Sequence, residues 1–314
     1  MSSLQCSMDN LKPHLLTLPD GRNLAYAIYG VPLETEGTVP TFFFHGYPGT
    51  HHEAQLLHES AKRRCVSLIA PTRPGMGHST SQPKRQLLDW PSDVMSLADH
   101  LDIARFAAIG VSGGGPYVLA CWQAIPRARL VAATIVCGLY PSHLGLKGMM
   151  FGPRMLLTVA PWAPWLVAAG LSRGMKSAAV DHEHPEKFEK LMDEDMNGRP
   201  EVDRAVYAAN EGGFRTIMVE STREAVAGGG QGPAWEAKLY GSDWGFFIEE
   251  LEADGRLLMW HGDLDVNVPI AMAEKASRLI RGAILRPVTG EGHCGLIVHK
   301  ADEIIESLRK LCVT

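Results

Sequence analysis

The chain has 314 residues, 46% of them hydrophobic and 21% charged, with a formal net charge of −5; that length holds one large α/β domain with an insertion, and that balance is ordinary for a globular protein. No basic stripe is present, so the electrostatic footprint of nucleic-acid binding is excluded. The six cysteines are scattered without a C-x-x-C pair, which reads as free thiols in a reducing, cytoplasmic setting.

The first residues, MSSLQCSMDNLKPH, lack a basic stretch followed by an apolar one and predict no secretory leader. No C-a-a-X box or targeting tripeptide closes the chain. Residues 15–18 and 24–29 read as strands joined by the turn Pro19-Asp20-Gly21-Arg22, an antiparallel start. The period then changes. Residues 41–44 predict a buried strand, 51–64 a helix, 66–70 a strand, 87–101 a helix, 106–109 a strand followed by a helix, and 130–136 another strand. Strands alternating with helices predict parallel crossover units.

From 140 to 253 the reading is helices and loops, with paired tryptophans, many methionines and a flexible glycine-rich stretch at 227–232. Within it, residues 155–172 carry no charge, long enough to consider a membrane span. Pro161 and Pro164 interrupt the stretch, so no span is expected. Strand signals return at 256–260 and 283–288, with helices at 270–280 and 301–311. The expected architecture is one mostly parallel sheet flanked by helices, residues 1–139 and 254–314, interrupted by a helical cap at 140–253. Such a cap covers the carboxyl ends of the strands, where ligands bind in these folds.

The chemistry begins at "FAAIGVSGGGPYVLA", residues 106–120. Gly110-Val111-Ser112-Gly113-Gly114 fits the G-x-S-x-G elbow, in which a strained strand-to-helix turn exposes a serine hydroxyl. No Lys-Ser or Lys-Thr follows the glycines, so a P-loop is excluded. A serine needs a base, and the base an orienting acid. Both follow downstream at strand ends: Asp263 and Asp265 in HGDLDVNVP, then His293 in GEGHCG. The chain order serine, aspartate, histidine is that of one triad architecture and not of the chymotrypsin or subtilisin kind. Gly113, after the nucleophile, supplies one oxyanion N–H. Cys294 reads as core.

These motifs, with "GRNLAYAIYG", "FHGYPGT", "LIAPTRPGMGHST" and "GGGQGPAWEAKLYGSDWGF", resemble the α/β-hydrolase superfamily over nearly the whole chain, in its serine-nucleophile branch with a helical cap (AB hydrolase-1 type). The resemblance implies an α/β-hydrolase fold and selects Asp265 over Asp263 as the acid. It also implies Tyr47 N–H as the second oxyanion donor and His45 as a brace for the loop 45–49. That branch usually carries Asp before this Arg-Pro-Gly; Thr72 stands here instead, which predicts loss of a local carboxylate contact to Arg73. Epoxide hydrolases and dehalogenases share the His-Gly-Tyr-Pro-Gly loop but require aspartate at the elbow, and proline iminopeptidases typically carry Trp after the serine.

The expectation is therefore a serine hydrolase, a carboxylesterase-like enzyme that cleaves a carboxylic ester, thioester or lactone of an apolar small molecule through an acyl-enzyme. The alternatives are the same triad used for C–C bond hydrolysis, acyl transfer or lyase chemistry, or a non-catalytic small-molecule binder on the same fold. No cofactor and no metal are expected, since His182-Glu183-His184 lacks the H-E-x-x-H spacing. Met149, Trp162 and Trp165 are candidate substrate-binding residues of an apolar cap face. The same residue types also build cores and homodimer surfaces.

Overall fold

The computed structural model describes residues 13–313. The leader reading, Cys6 and the final residue of the C-terminal reading lie outside the described residues. Eight strands form one sheet: β1 (His14–Thr17), β2 (Asn23–Gly30), β3 (Val39–Phe44), β4 (Val66–Pro71), β5 (Phe106–Val111), β6 (Leu130–Val136), β7 (Leu257–Gly262) and β8 (Ile284–Val288). Their spatial order is β1-β2-β4-β3-β5-β6-β7-β8. β2 runs antiparallel to both β1 and β4, and every pairing from β4 through β8 is parallel.

β4, β5 and β6 are buried at every residue. That is why they read as continuous apolar runs: a parallel strand covered on both faces has no solvent side on which to alternate. The strand period still sorts residues between the two layers. Phe42 and Phe44 pack into one apolar core with Tyr117 and Trp122, whereas Phe43 enters the other with Leu68 and Ile109.

Helices α1 (His58–Arg63), α2 (Trp90–His100) and α3 (Gly115–Ala124) fill the crossovers of the first half. The predicted helix at 51–64 divides instead into a tight 3₁₀ segment, His51–Leu57, and α1. Between β6 and β7 the chain leaves the sheet and forms α4 (Phe151–Val159), α5 (Pro164–Leu171), α6 (Ser177–Ala179), α7 (Glu186–Asp195), α8 (Glu201–Ala208), α9 (Phe214–Ala227) and α10 (Gln231–Gly241). It returns through α11 (Ile270–Leu279), α12 (Gly295–His299) and α13 (Ala301–Val313).

The uncharged stretch 155–172 is split between α4 and α5, with Pro164 opening α5. Among the described residues no helix is long and apolar enough to cross a membrane. In the glycine-rich stretch at 227–232, two glycines admit close backbone contacts. A Cβ on Gly230 would lie 2.4 Å from the Ala168 carbonyl oxygen, and one on Gly232 2.0 Å from that of Gly75. Only a bare backbone lets α10 start so close to both neighbours.

Candidate active site

β5 ends directly at Ser112, which adopts a left-handed φ of 51°. A non-glycine residue is held there only when its surroundings over-determine it. The flanking glycines make this turn sterically possible. A Cβ on Gly110 would meet the Gly114 oxygen at 2.6 Å, and one on Gly114 would meet the Phe44 oxygen at 2.1 Å. At Gly113 a Cβ would come within 2.6 Å of Tyr240 Oη and 2.9 Å of Tyr47 Cβ. Each glycine of the motif is therefore a place where another backbone or ring passes at contact distance.

Ser112 Oγ lies 2.9 Å from His293 Nε2, and His293 Nδ1 lies 2.7 Å from Asp265 Oδ2. The other oxygen of Asp265 accepts the N–H groups of Asn267 and Val268 at 2.8 and 2.9 Å. Burial alone would raise the Asp265 pKa, but His293 and His261 beside it hold the carboxyl well below the usual range. With Asp265 ionised, His293 Nδ1 carries the proton and donates it, which leaves Nε2 free to accept from Ser112. Asp263 is exposed and accepts the Gly290 N–H at 2.8 Å, so it ties two loops and does not reach His293.

The loop 45–49 lies opposite. His45 is fully buried; its Nε2 accepts the Arg73 N–H at 3.1 Å, so its Nδ1 donates to Gly46 O at 2.9 Å. Burial, reinforced by Arg73, lowers its pKa well below the ordinary value, and the neutral ring braces the loop. Arg73 donates to the carbonyls of His45 and Gly46 at 2.6 and 2.7 Å. It does not go without a carboxylate: Glu236, far along the chain on α10, pairs with it at 2.6 Å. Thr72 turns instead to His51, whose N–H and Nδ1 each lie 3.0 Å from Thr72 Oγ1.

Glu236 also pairs with Arg85 at 3.0 Å and lies 2.5 Å from Tyr240 Oη, which is itself 2.9 Å from Gly113 O. Burial opposes its charge, yet the two arginines bring its pKa down to about 2. Glu53 has fewer cationic partners: burial pushes its carboxyl up to about 7, although it accepts the Gly46 N–H at 2.6 Å.

Three groups here carry no local sequence signal. Glu53 and Glu236 are two of them. The third is Asp203 on α8, fully buried, which accepts the N–H groups of His293, Cys294 and Gly295 at 3.0, 2.8 and 2.9 Å. Gly292 is the trace it leaves in the sequence, since a Cβ there would sit 2.3 Å from Asp203 Oδ1.

Ser112, Gly113, Tyr47 and His293 open on a cavity of about 470 Å³. The insertion contributes Met149, Leu156, Leu157, Met175, Met192, Phe214 and Met218 to its wall, and Glu53 and Asn267 are among its polar members. Cys294 also faces it; burial pushes that thiol up to about 12, where it is inert. Trp162 and Trp165 are not part of this wall. They are 88% and 71% exposed, on the outside of the insertion with Phe151 and Met155. Along α4 the helical period divides the residues: 152–153 and 156–157 line the cavity one turn after another, following Met149 just before the helix, while 151 and 155 face away.

Residues 42–306 match the model of the alpha/beta hydrolase family. No curated protein matches the sequence significantly. Among solved structures, the enol-lactonase of Burkholderia xenovorans LB400 superposes with a TM-score of 0.66 at 15% identity, covering 96% of this chain and 100% of its own. An esterase from Exiguobacterium antarcticum does so at 0.64, with 15% identity and coverage of 96% and 100%. The esterase of Thermogutta terrifontis reaches 0.61 at 17% identity, covering 96% and 98%. At such identities these likenesses speak for the fold. The family match over most of the chain establishes that this protein belongs to the alpha/beta hydrolase family.

Proposed function

We propose that the protein is a serine hydrolase that cleaves a carboxylic ester, thioester or lactone of an apolar small molecule. Ser112 Oγ attacks the carbonyl carbon while its proton passes to His293 Nε2. Collapse of the tetrahedral intermediate breaks the bond to the leaving oxygen or sulfur, which takes that proton, and leaves an acyl group on Ser112. Water attacks the acyl carbonyl, gives its proton to His293, and releases the carboxylic acid as Ser112 recovers its hydrogen. Asp265 keeps His293 in the right tautomer and stabilises the imidazolium.

The observation that carries the reading is the continuous chain from Ser112 Oγ through His293 to a buried, ionised Asp265, opening on a mainly apolar cavity. The backbone supports it. A trans peptide is planar, so its N–H points opposite its C=O. The Ser112 carbonyl is held by the Leu139 N–H at 2.9 Å, and the Gly46 carbonyl by Arg73 at 2.7 Å. The N–H groups of Gly113 and Tyr47 share those two peptide units and are turned the other way, as the donors of an oxyanion hole. Gly46 N–H is already engaged by Glu53. Residues 140–253 act as the cap that shapes the acyl or alkyl pocket.

The test is labelling with a fluorophosphonate probe followed by intact-mass measurement. One adduct per chain is expected, absent in Ser112→Ala, which also loses hydrolysis of short p-nitrophenyl esters to below about a thousandth. An unlabelled wild type, or label retained in Ser112→Ala, overturns the proposal.

A further inference from the structure

Behind the cavity wall, where the 3₁₀ segment 51–57 meets α9, two histidines and a carboxylate converge. Donor atoms of His51, His52 and Glu224 all lie within 4.8 Å of one another. The two imidazoles are tilted by 31° with centroids 4.3 Å apart. His52 Nε2 is 2.8 Å from Glu224 Oε2.

Two features mark this as more than an ion pair. His51 is fully buried and its Nε2 has no hydrogen-bond partner among the described residues, and the same holds for Glu224 Oε1. Unpartnered buried polar atoms are costly and rare. Moreover, Gly77 makes room for the carboxylate: a Cβ there would lie 2.4 Å from Glu224 Oε1.

We propose that His51, His52 and Glu224 bind a first-row transition dication, with Zn²⁺ the best fit, and that the ion ties the helical insertion to the core. Two imidazoles and one carboxylate suit such a metal, whereas Ca²⁺ and Mg²⁺ require more oxygens. One remaining ring nitrogen is already oriented as a metal-bound histidine demands, since His51 Nδ1 lies 3.0 Å from the Thr72 hydroxyl, which can accept its proton; His52 Nδ1 lies 3.0 Å from Gln55 Nε2, and loading the metal on His52 Nε2 turns that amide over so that its oxygen accepts from Nδ1. Tetrahedral Zn²⁺ holds its ligand atoms about 3.3 Å apart, so His52 and Glu224 separate by a few tenths of an ångström to admit it. Both are half-buried, which leaves the ion a path from solvent and water as the fourth ligand.

None of the three residues belongs to the proposed hydrolytic machinery, so the site stands or falls apart from that reading. Its mechanical place is nonetheless close: α9 also presents Phe214, Met218 and Thr222 to the cavity.

The experiment is calorimetric titration of the EDTA-stripped, full-length protein with ZnCl₂. The wild type takes up one equivalent. His52→Ala and Glu224→Gln each weaken uptake at least as much as loss of an outer-shell partner does, about 10–100-fold, whereas His293→Ala does not. X-ray absorption of the loaded wild type gives a first shell of nitrogen and oxygen with two imidazoles, a readout independent of any variant. The proposal is overturned by no saturable uptake, by undiminished uptake in both variants, by loss in His293→Ala alone, or by a thiolate in the metal shell. The last two would move the ion to the cluster of Cys137, Asp265 and His293.

Discussion

Asp203→Asn separates the position of His293 from its chemistry. In the wild type one carboxylate oxygen takes the N–H groups of Cys294 and Gly295, and the other takes that of His293 at 3.0 Å. An asparagine keeps the first pair on its amide oxygen but turns an NH₂ toward the His293 N–H. One charge-assisted hydrogen bond disappears and a buried donor is left facing another donor, a loss of roughly 2–4 kcal/mol. The His293 backbone relieves that contact by moving away, and the 2.9 Å approach of Nε2 to Ser112 lengthens with it. A misplacement of about 1 Å costs on the order of 100-fold in rate. Urea unfolding should therefore show the stability loss, and kcat/KM for a short p-nitrophenyl ester should fall by about 10–100-fold. The rate of fluorophosphonate labelling should fall in parallel, because it depends on the same histidine. A variant within twofold of wild-type activity and about 0.5 kcal/mol of its stability would refute the reasoning and reduce Asp203 to a replaceable loop contact.

Asp265→Asn, which favours the wrong His293 tautomer, should lower kcat by about 10⁴-fold, whereas Asp263→Asn should change it less than tenfold; the reverse ranking in steady-state assays would assign the acid to the other residue. Because burial raises Glu53 from an unfolded 4.5 to about 7, the folded state keeps a proton that the unfolded chain releases. Wild-type stability from this group is then lost as pH rises between those values, by up to about 3 kcal/mol. Glu53→Gln lacks that dependence, so the variant-minus-wild-type unfolding free energy should climb from pH 4.5 to 7.5 in urea melts, and a flat difference would contradict it. Each methylene added to the acyl chain should raise kcat/KM nearly fourfold, at about 0.8 kcal/mol buried, until the cavity is full. Met149→Ser should flatten that series, while Trp162→Ser and Trp165→Ser, on the outer surface, should leave it unchanged.

Much of this molecule was legible locally because local physics wrote it. The parallel sheet could be read from apolar runs whose length and glycine or proline boundaries admit only buried strands. The elbow could be read because only glycine tolerates the approach of Phe44 and Gly114 around Ser112. The order of serine, aspartate and histidine was visible because each follows a strand, where a short loop has no freedom to be elsewhere. The two tryptophans face solvent for an equally physical reason: composition says that the segment is apolar, but only the packing of the insertion on the core puts Trp162, in the turn between α4 and α5, and Trp165, in the first turn of α5, on the outside. Asp203, Glu53 and Glu236 needed the folded chain altogether. Asp203 meets His293 across 90 residues and Glu236 meets Arg73 across 163. Acidic residues like these are indistinguishable from solvated ones in the sequence. What sets them apart is burial, Asp203 against backbone N–H groups and Glu236 against two guanidinium ions that lie far away in the chain, and that environment comes into being only when the sheet and the helices close on each other.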